Sequence, residues 1–249
     1  MSLLNSLFGS GKSPLITPPP PPPPITIIPE APALLNTRTL VSLAFVGTLV
    51  LGAYLLKLAL LPPHLNRSTK WRVIFCWLAF DGFCHLILEG SFLYLSTFGR
   101  TVNASTSFFA YMWQDYSRAD ARWGIAEPTV VSLEILTVLG AGPLALYCAY
   151  LLSKEDGRYH YWAIVLSTAE IYGGFMTFCP EWLDQNKSLN GSNWVLLYVY
   201  LWFMNMVWVV IPFYLLYDSY GFISRAVKTT AASANGAKGG LLKKVGKSA

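Results

Sequence analysis

Residues 73–95 read VIFCWLAFDGFCHLILEGSFLYL. As a helix this stretch is long enough to cross a hydrocarbon layer of about 30 Å. It nevertheless carries Asp81, His85 and Glu89. Spaced four residues apart, the three recur once per helical turn and share one stripe. Ionisable groups are costly against lipid, so such a stripe turns toward a bundle interior or a cavity. The segment therefore predicts a membrane helix with neighbours packed over its polar face.

The rest of the chain agrees. Of 249 residues, 54% are hydrophobic, 15% aromatic and only 12% charged. The mean hydropathy is +0.44. Soluble domains carry about twice that charge fraction. Disorder and an ordinary soluble globule are thereby excluded. The net charge of +5 belongs to no nucleic-acid-binding module and suits a membrane-proximal basic tail. The four cysteines form no CxxC pair and the three histidines no zinc motif.

Four further apolar segments can span: Leu40 to Leu61, Thr129 to Leu152, Tyr159 to Cys179 and Trp194 to Tyr217. The fold class is all-α, a polytopic bundle of five transmembrane helices. Residues 1–36 form a Pro-rich flexible leader, with an unbroken run from Pro18 to Pro24 that favours polyproline II. Residues 37–220 form the membrane domain and 221–249 a basic, disordered tail. The roughly thirty-residue loop from Ser96 to Glu127 is too long to lack structure, and a short interfacial helix is expected there. Most Lys and Arg fall on the side shared by the tail, which predicts a cytoplasmic C-terminus.

Polar residues within the apolar helices carry the chemistry. A histidine and a carboxylate one turn apart, His85 and Glu89, can hold a proton between them near neutral pH. The same spacing also serves a polar lock between helices. Glu134 with Thr137 three residues on, and Glu170 before Gly173 and Gly174, add acids from two other helices. Trp202, Asn205 and Trp208 follow at three-residue steps, so an amide and two indole faces join the set. Acids, imidazole and indoles around an apolar space suit a large hydrocarbon that bears positive charge.

These residues, in their order, resemble the emopamil-binding protein family of sterol Δ8–Δ7 isomerases, within the wider EXPERA group. The matching pieces are Cys76 to Gly90, Trp113 to Arg122 with Asp120, Thr129 to Thr137, Gly142-Pro-Leu, Ile171 to Gly173, and Phe203 to Pro212. The resemblance implies a five-helix protein of the endoplasmic-reticulum membrane. It implies movement of a ring-B double bond from C8–C9 to C7–C8, with no cofactor and no metal. The proton-transfer pair falls on His85 and Glu89, a third-helix acid on Glu134 beside Thr137, and the fifth-helix pair on Asn205 and Trp208. Asp120 matches an acid of the long loop; Glu170 and Trp202 are taken as supporting residues. Glu170 stands where a glutamine is usual in these isomerases, Gly174 where an acid is common, and Asp81 where they have an uncharged residue.

The expected function is isomerisation through a carbocation. The alternatives are a non-catalytic protein binding sterols or cationic amphiphiles, an isomerase of a related terpenoid, and a proton-coupled transporter. Expected partners are a sterol or sterol-like lipid, the bilayer and cationic amphiphilic inhibitors; a homodimer stays open, and no nucleic acid is expected.

Overall fold

The computed structural model describes residues 37–245. The Pro-rich leader lies outside the described residues. Seven helices follow in order: α1 Thr37–Leu60, α2 Thr69–Leu95, α3 Phe108–Tyr116, α4 Arg122–Ile125, α5 Pro128–Ser153, α6 Arg158–Leu183 and α7, which runs from Val195 to Val245. Five of them, α1, α2, α5, α6 and α7, are long and apolar enough to cross a membrane. The all-α, five-helix expectation is met.

In the bundle α1 packs on α2, α2 on α5, α5 on α6, and α6 most extensively on α7. The shared core holds Phe75 and Leu78 of α2, Ala145 and Cys148 of α5, Ala163 and Leu166 of α6, and Leu215 of α7. Leu51, Leu139 and Val210 instead point outward and are more than half exposed, as lipid-facing residues would be. In lipid the hydrophobic effect does not pull helices together, so close approach at small residues matters more. The tightest approach joins α2 and α5. A Cβ on Gly82 would lie 2.6 Å from Leu146 Cγ, and one on Gly142 would lie 2.9 Å from His85 Cβ.

Three spanning helices contain a π-helical stretch: Cys84–Glu89 in α2, Thr137–Ala141 in α5 and Val195–Phe203 in α7. Such stretches widen a turn and recur at functional sites. Those of α2 and α5 lie against each other. Glu127 starts α5 as its N-cap: its side chain accepts from the Val130 N–H, with Pro128 in the first turn.

The long loop is folded, with two short helices where one was expected. Helices α3 and α4 lie over one end of the bundle, where Trp113 and Trp123 stack at 4.9 Å and Phe92 meets Trp123 at 4.7 Å. Backbone bonds from Ala121 N–H to Ser188 O and from Asn190 N–H to Ala119 O tie the cap to the α6–α7 connection. The structure differs from expectation at the tail. Helix α7 continues to Val245 rather than giving way to disorder after residue 220; residues such as Ala226, Ala231 and Ala232 favour helix.

Candidate active site

The polar stripe of α2 is the centre of the site. His85 is almost wholly buried and lies between two acids of its own helix. Its Nδ1 is 2.5 Å from Glu89 Oε2, and its Nε2 is 3.2 Å from Asp81 Oδ1. The second contact is within ion-pair range but is not aligned as a hydrogen bond. The π-helical turn carries His85 and Glu89 together, so the one-turn pairing survives the local change of pitch.

Acids from two other helices close on this pair. Glu134 of α5 is buried and neighbours the Glu89 carboxyl. The Thr137 hydroxyl donates to Glu134 Oε2 at 2.7 Å and so fixes its rotamer. Glu170 of α6 is buried, with one oxygen within 4.8 Å of an Asp81 oxygen. Asp81, His85 and Glu170 each present one donor atom, all within 4.8 Å of one another. A metal ion and a shared proton both meet that spacing. The sequence reading, which looked for cysteine–histidine motifs, did not group these three.

Trp208 joins the cluster through its edge. The Nε1–H donates to Asp81 Oδ1 at 2.6 Å, while the ring packs at 5.3 Å from Trp77 and 6.4 Å from His85. The indole was expected to offer its face to a cation; its polar edge is bonded to an acid of α2.

Asn205 is placed differently from its expected partnership with an acid. Its Nδ2 donates to the carbonyls of Tyr200 and Leu201 at 3.0 Å each, and to the Tyr116 hydroxyl at 3.2 Å. A π stretch leaves carbonyls short of donors, and the amide supplies them. The same stretch explains Trp202, which is 61% exposed on the outer surface. Its three-residue step to Asn205 crosses the end of the π turn, where the pitch changes, so the two do not share a face.

Asp120 also lies apart from the acids of α2. It is buried in the cap, where Arg122 donates to it from Nε at 2.9 Å and from Nη2 at 2.6 Å. Arg122 further donates to Thr177 O at 2.7 Å and sits 3.5 Å from Glu181. Burial pushes the Asp120 carboxyl up from its ordinary range and the guanidinium pulls it back. Burial, with Asp120 adding to it, raises the Tyr116 phenol well above its usual value, so the hydroxyl stays protonated beside Asn205.

Sequence reasoning gave no individual role to four contributors, Gly142, Tyr116, Arg122 and Glu181, although three of them lie in segments that carry the resemblance. The Asp120-Ala-Arg122 spacing was a usable signal for one ion pair. Nothing local marks Gly142, whose role needs knowledge of which helix it meets.

Comparison with known proteins gives a consistent result. The family EXPERA (EXPanded EBP superfamily) matches residues 108–219. A 3-beta-hydroxysteroid-Delta(8),Delta(7)-isomerase of Cavia porcellus is 28% identical over 173 residues, 68% of this chain and 74% of the relative. A probable enzyme of the same name in Arabidopsis thaliana is 28% identical over 173 residues, 69% of this chain and 76% of the relative. A protoglabretal synthase of Citrus sinensis is 26% identical over 146 residues, 59% of this chain and 67% of the relative.

Proposed function

The chain belongs to the EXPERA superfamily, and on that premise we propose that it is an intramembrane isomerase moving a carbon–carbon double bond within a sterol-like lipid. The observation that carries the reading is the 2.5 Å contact between His85 Nδ1 and Glu89 Oε2, buried among spanning helices and faced by Glu134. A proton held there is close to a carboxylate that can take it back.

The reaction needs no electron acceptor, because substrate and product are isomers. The protonated His85–Glu89 pair gives its proton to one carbon of a tetrasubstituted alkene. A tertiary cation forms at the adjacent carbon. The next C–H bond breaks, its electron pair closes the new double bond, and its proton returns to the pair. In the sterol case these are protonation at C9, a cation at C8 and proton loss from C7. A placed acid–base group contributes roughly 10²–10⁴-fold to such a step. Glu134, held by Thr137, puts an acid beside the pair, where an ionised oxygen would stabilise the cation. Excluding water keeps the cation from being trapped as an alcohol.

The catalytic unit in this reading is residues 37–220, in the endoplasmic-reticulum membrane, with the C-terminus cytoplasmic on the strength of its basic residues. Cationic amphiphiles would act as mimics of the cation. A second reading, isomerisation of a related terpenoid, is favoured by Asp81 and Glu170, which add acids to the site. Expression in a host lacking sterol Δ8–Δ7 isomerase, with sterols profiled by mass spectrometry, tests both. Restored Δ7-sterols support the sterol reading. An unchanged sterol profile would contradict it and turn the search to other polycyclic alkenes.

A further inference from the structure

The side of His85 away from Glu89 has no role in the reaction just described, yet it is the more deeply buried. We propose that Glu170 and Asp81 hold one shared proton and so keep a single negative charge beside the Nε2–H of His85, making Glu170 a positioning residue for the proton-transfer pair. The role in turnover rests on the isomerase reading; the shared proton does not.

The geometry is the starting point. Both Glu170 oxygens and Asp81 Oδ2 are buried and receive no hydrogen bond from a donor group among the described residues. One oxygen of Glu170 and one of Asp81 nevertheless lie within 4.8 Å of each other. A carboxylate offers only acceptors, so two facing carboxyls bond only when one carries a proton. Were both ionised, two like charges would sit in contact away from water. Among the described residues no Lys or Arg pairs with Asp81, Glu89, Glu134 or Glu170. The only basic side chain paired with these acids is His85, which can neutralise one of the four. Protons must neutralise most of the others.

The site therefore has a matching pattern at its two ends. At His85 Nδ1 stands Glu89, backed by Glu134; at Nε2 stands Asp81, backed by Glu170. Trp208 directs the second end. Its N–H occupies Asp81 Oδ1, which leaves Oδ2 for Glu170. The other titratable groups facing this end are the thiols of Cys84 and Cys148, both buried and weak donors.

The proton movement balances. When the Nδ1 proton of the imidazolium leaves toward Glu89 and the alkene, the imidazole is left neutral with its Nε2 proton toward Asp81, and the Asp81–Glu170 pair keeps its shared proton. When the neighbouring carbon releases its proton to Glu89, the imidazole takes it back at Nδ1 and the charge on the Asp81–Glu170 pair is again matched by the imidazolium. One turnover ends with the protons it began with, and bulk water need not enter.

The test is infrared spectroscopy of the purified full-length protein in lipid nanodiscs, without substrate. The carbonyl stretch of protonated carboxylic acids, identified by its shift in D₂O, is compared in wild type, Glu170→Gln, Glu170→Asp and Asp81→Asn. The expected result is loss of one protonated-carboxyl band in Glu170→Gln and its return, shifted, in Glu170→Asp. In turnover, Glu170→Gln should lower kcat at least about tenfold, with KM little changed, and Glu170→Asp should recover it; the loss stays below the roughly 10²–10⁴-fold of direct proton transfer. An identical band set in wild type and Glu170→Gln would overturn the shared proton. So would elemental analysis that finds a stoichiometric metal ion in wild type and none in Glu170→Gln. A band that behaves as expected in a protein that turns over no substrate would support the shared proton and defeat the isomerase reading alone.

Discussion

Gly142 leaves bare backbone where His85 passes: a Cβ at residue 142 would fall 2.9 Å from the His85 Cβ. Leu86 Cγ would be equally crowded at 3.0 Å. The His85 Cβ is the root of a side chain and cannot rotate away. Gly142→Ala should therefore push α2 from α5 and cost about 1–3 kcal/mol. A misplacement of about 1 Å at the proton-transfer pair would lower turnover by up to about 10²-fold. Gly173→Ala, which has open space around it, is the control and should be neutral or slightly stabilising. Thermal unfolding in detergent and turnover per folded molecule check both variants. Equal behaviour of the two would show that the close approach does not hold His85 in place.

Trp208 and Asp81 are coupled by one hydrogen bond across α7 and α2. Trp208→Phe keeps most of the ring contact with Trp77 and leaves Asp81 Oδ1 without its donor. The expected cost is about 1–3 kcal/mol. In a double-mutant cycle with Asp81→Asn the two losses should fall short of additive by about 0.5–3 kcal/mol. Additive losses would mean that the indole only fills space.

Asn205 serves the π turn of α7 through Tyr200 O and Leu201 O. Asn205→Ala should lower thermal stability by about 1–3 kcal/mol, because buried carbonyls lose their donor. Turnover of the molecules that remain folded should fall less than in Glu89→Gln. A loss of turnover matching Glu89→Gln at unchanged stability would place the amide in the chemistry instead.

The stripe Asp81–His85–Glu89 was legible in the sequence because helix periodicity alone puts the three residues on one face, and a local π turn did not part them. Glu134 with Thr137 was legible for the same reason. Glu170 could be recognised as an unusual acid, but its partner Asp81 lies on another helix, and no periodicity encodes that pairing. Trp202 was grouped with Asn205 by three-residue spacing, which does not announce where a helix changes pitch. The five spans could be read from hydropathy, whereas helix α7 beyond residue 220 could not, since Ala, Gly and Lys in solvent fit either helix or coil.

Cationic amphiphiles should bind more tightly than their neutral carbon analogues if the site stabilises a carbocation. A desolvated cation–π or charge contribution of about 2 kcal/mol corresponds to roughly 30-fold in affinity. Glu134→Gln should erase much of that preference while leaving the neutral analogue bound. Displacement of a labelled sterol by each ligand measures it. Equal weakening of both ligands would reduce Glu134 to a shaping role, and no preference in wild type would favour passive lipid binding.

The proton held between His85 and Glu89 is tested most directly by turnover of a Δ8-sterol in microsomes carrying wild type, His85→Ala or Glu89→Gln, each normalised to folded protein. Formation of the Δ7 product by wild type and a fall of roughly 10²–10⁴-fold in both variants is the predicted result. Full activity in both variants would contradict proton transfer by this pair.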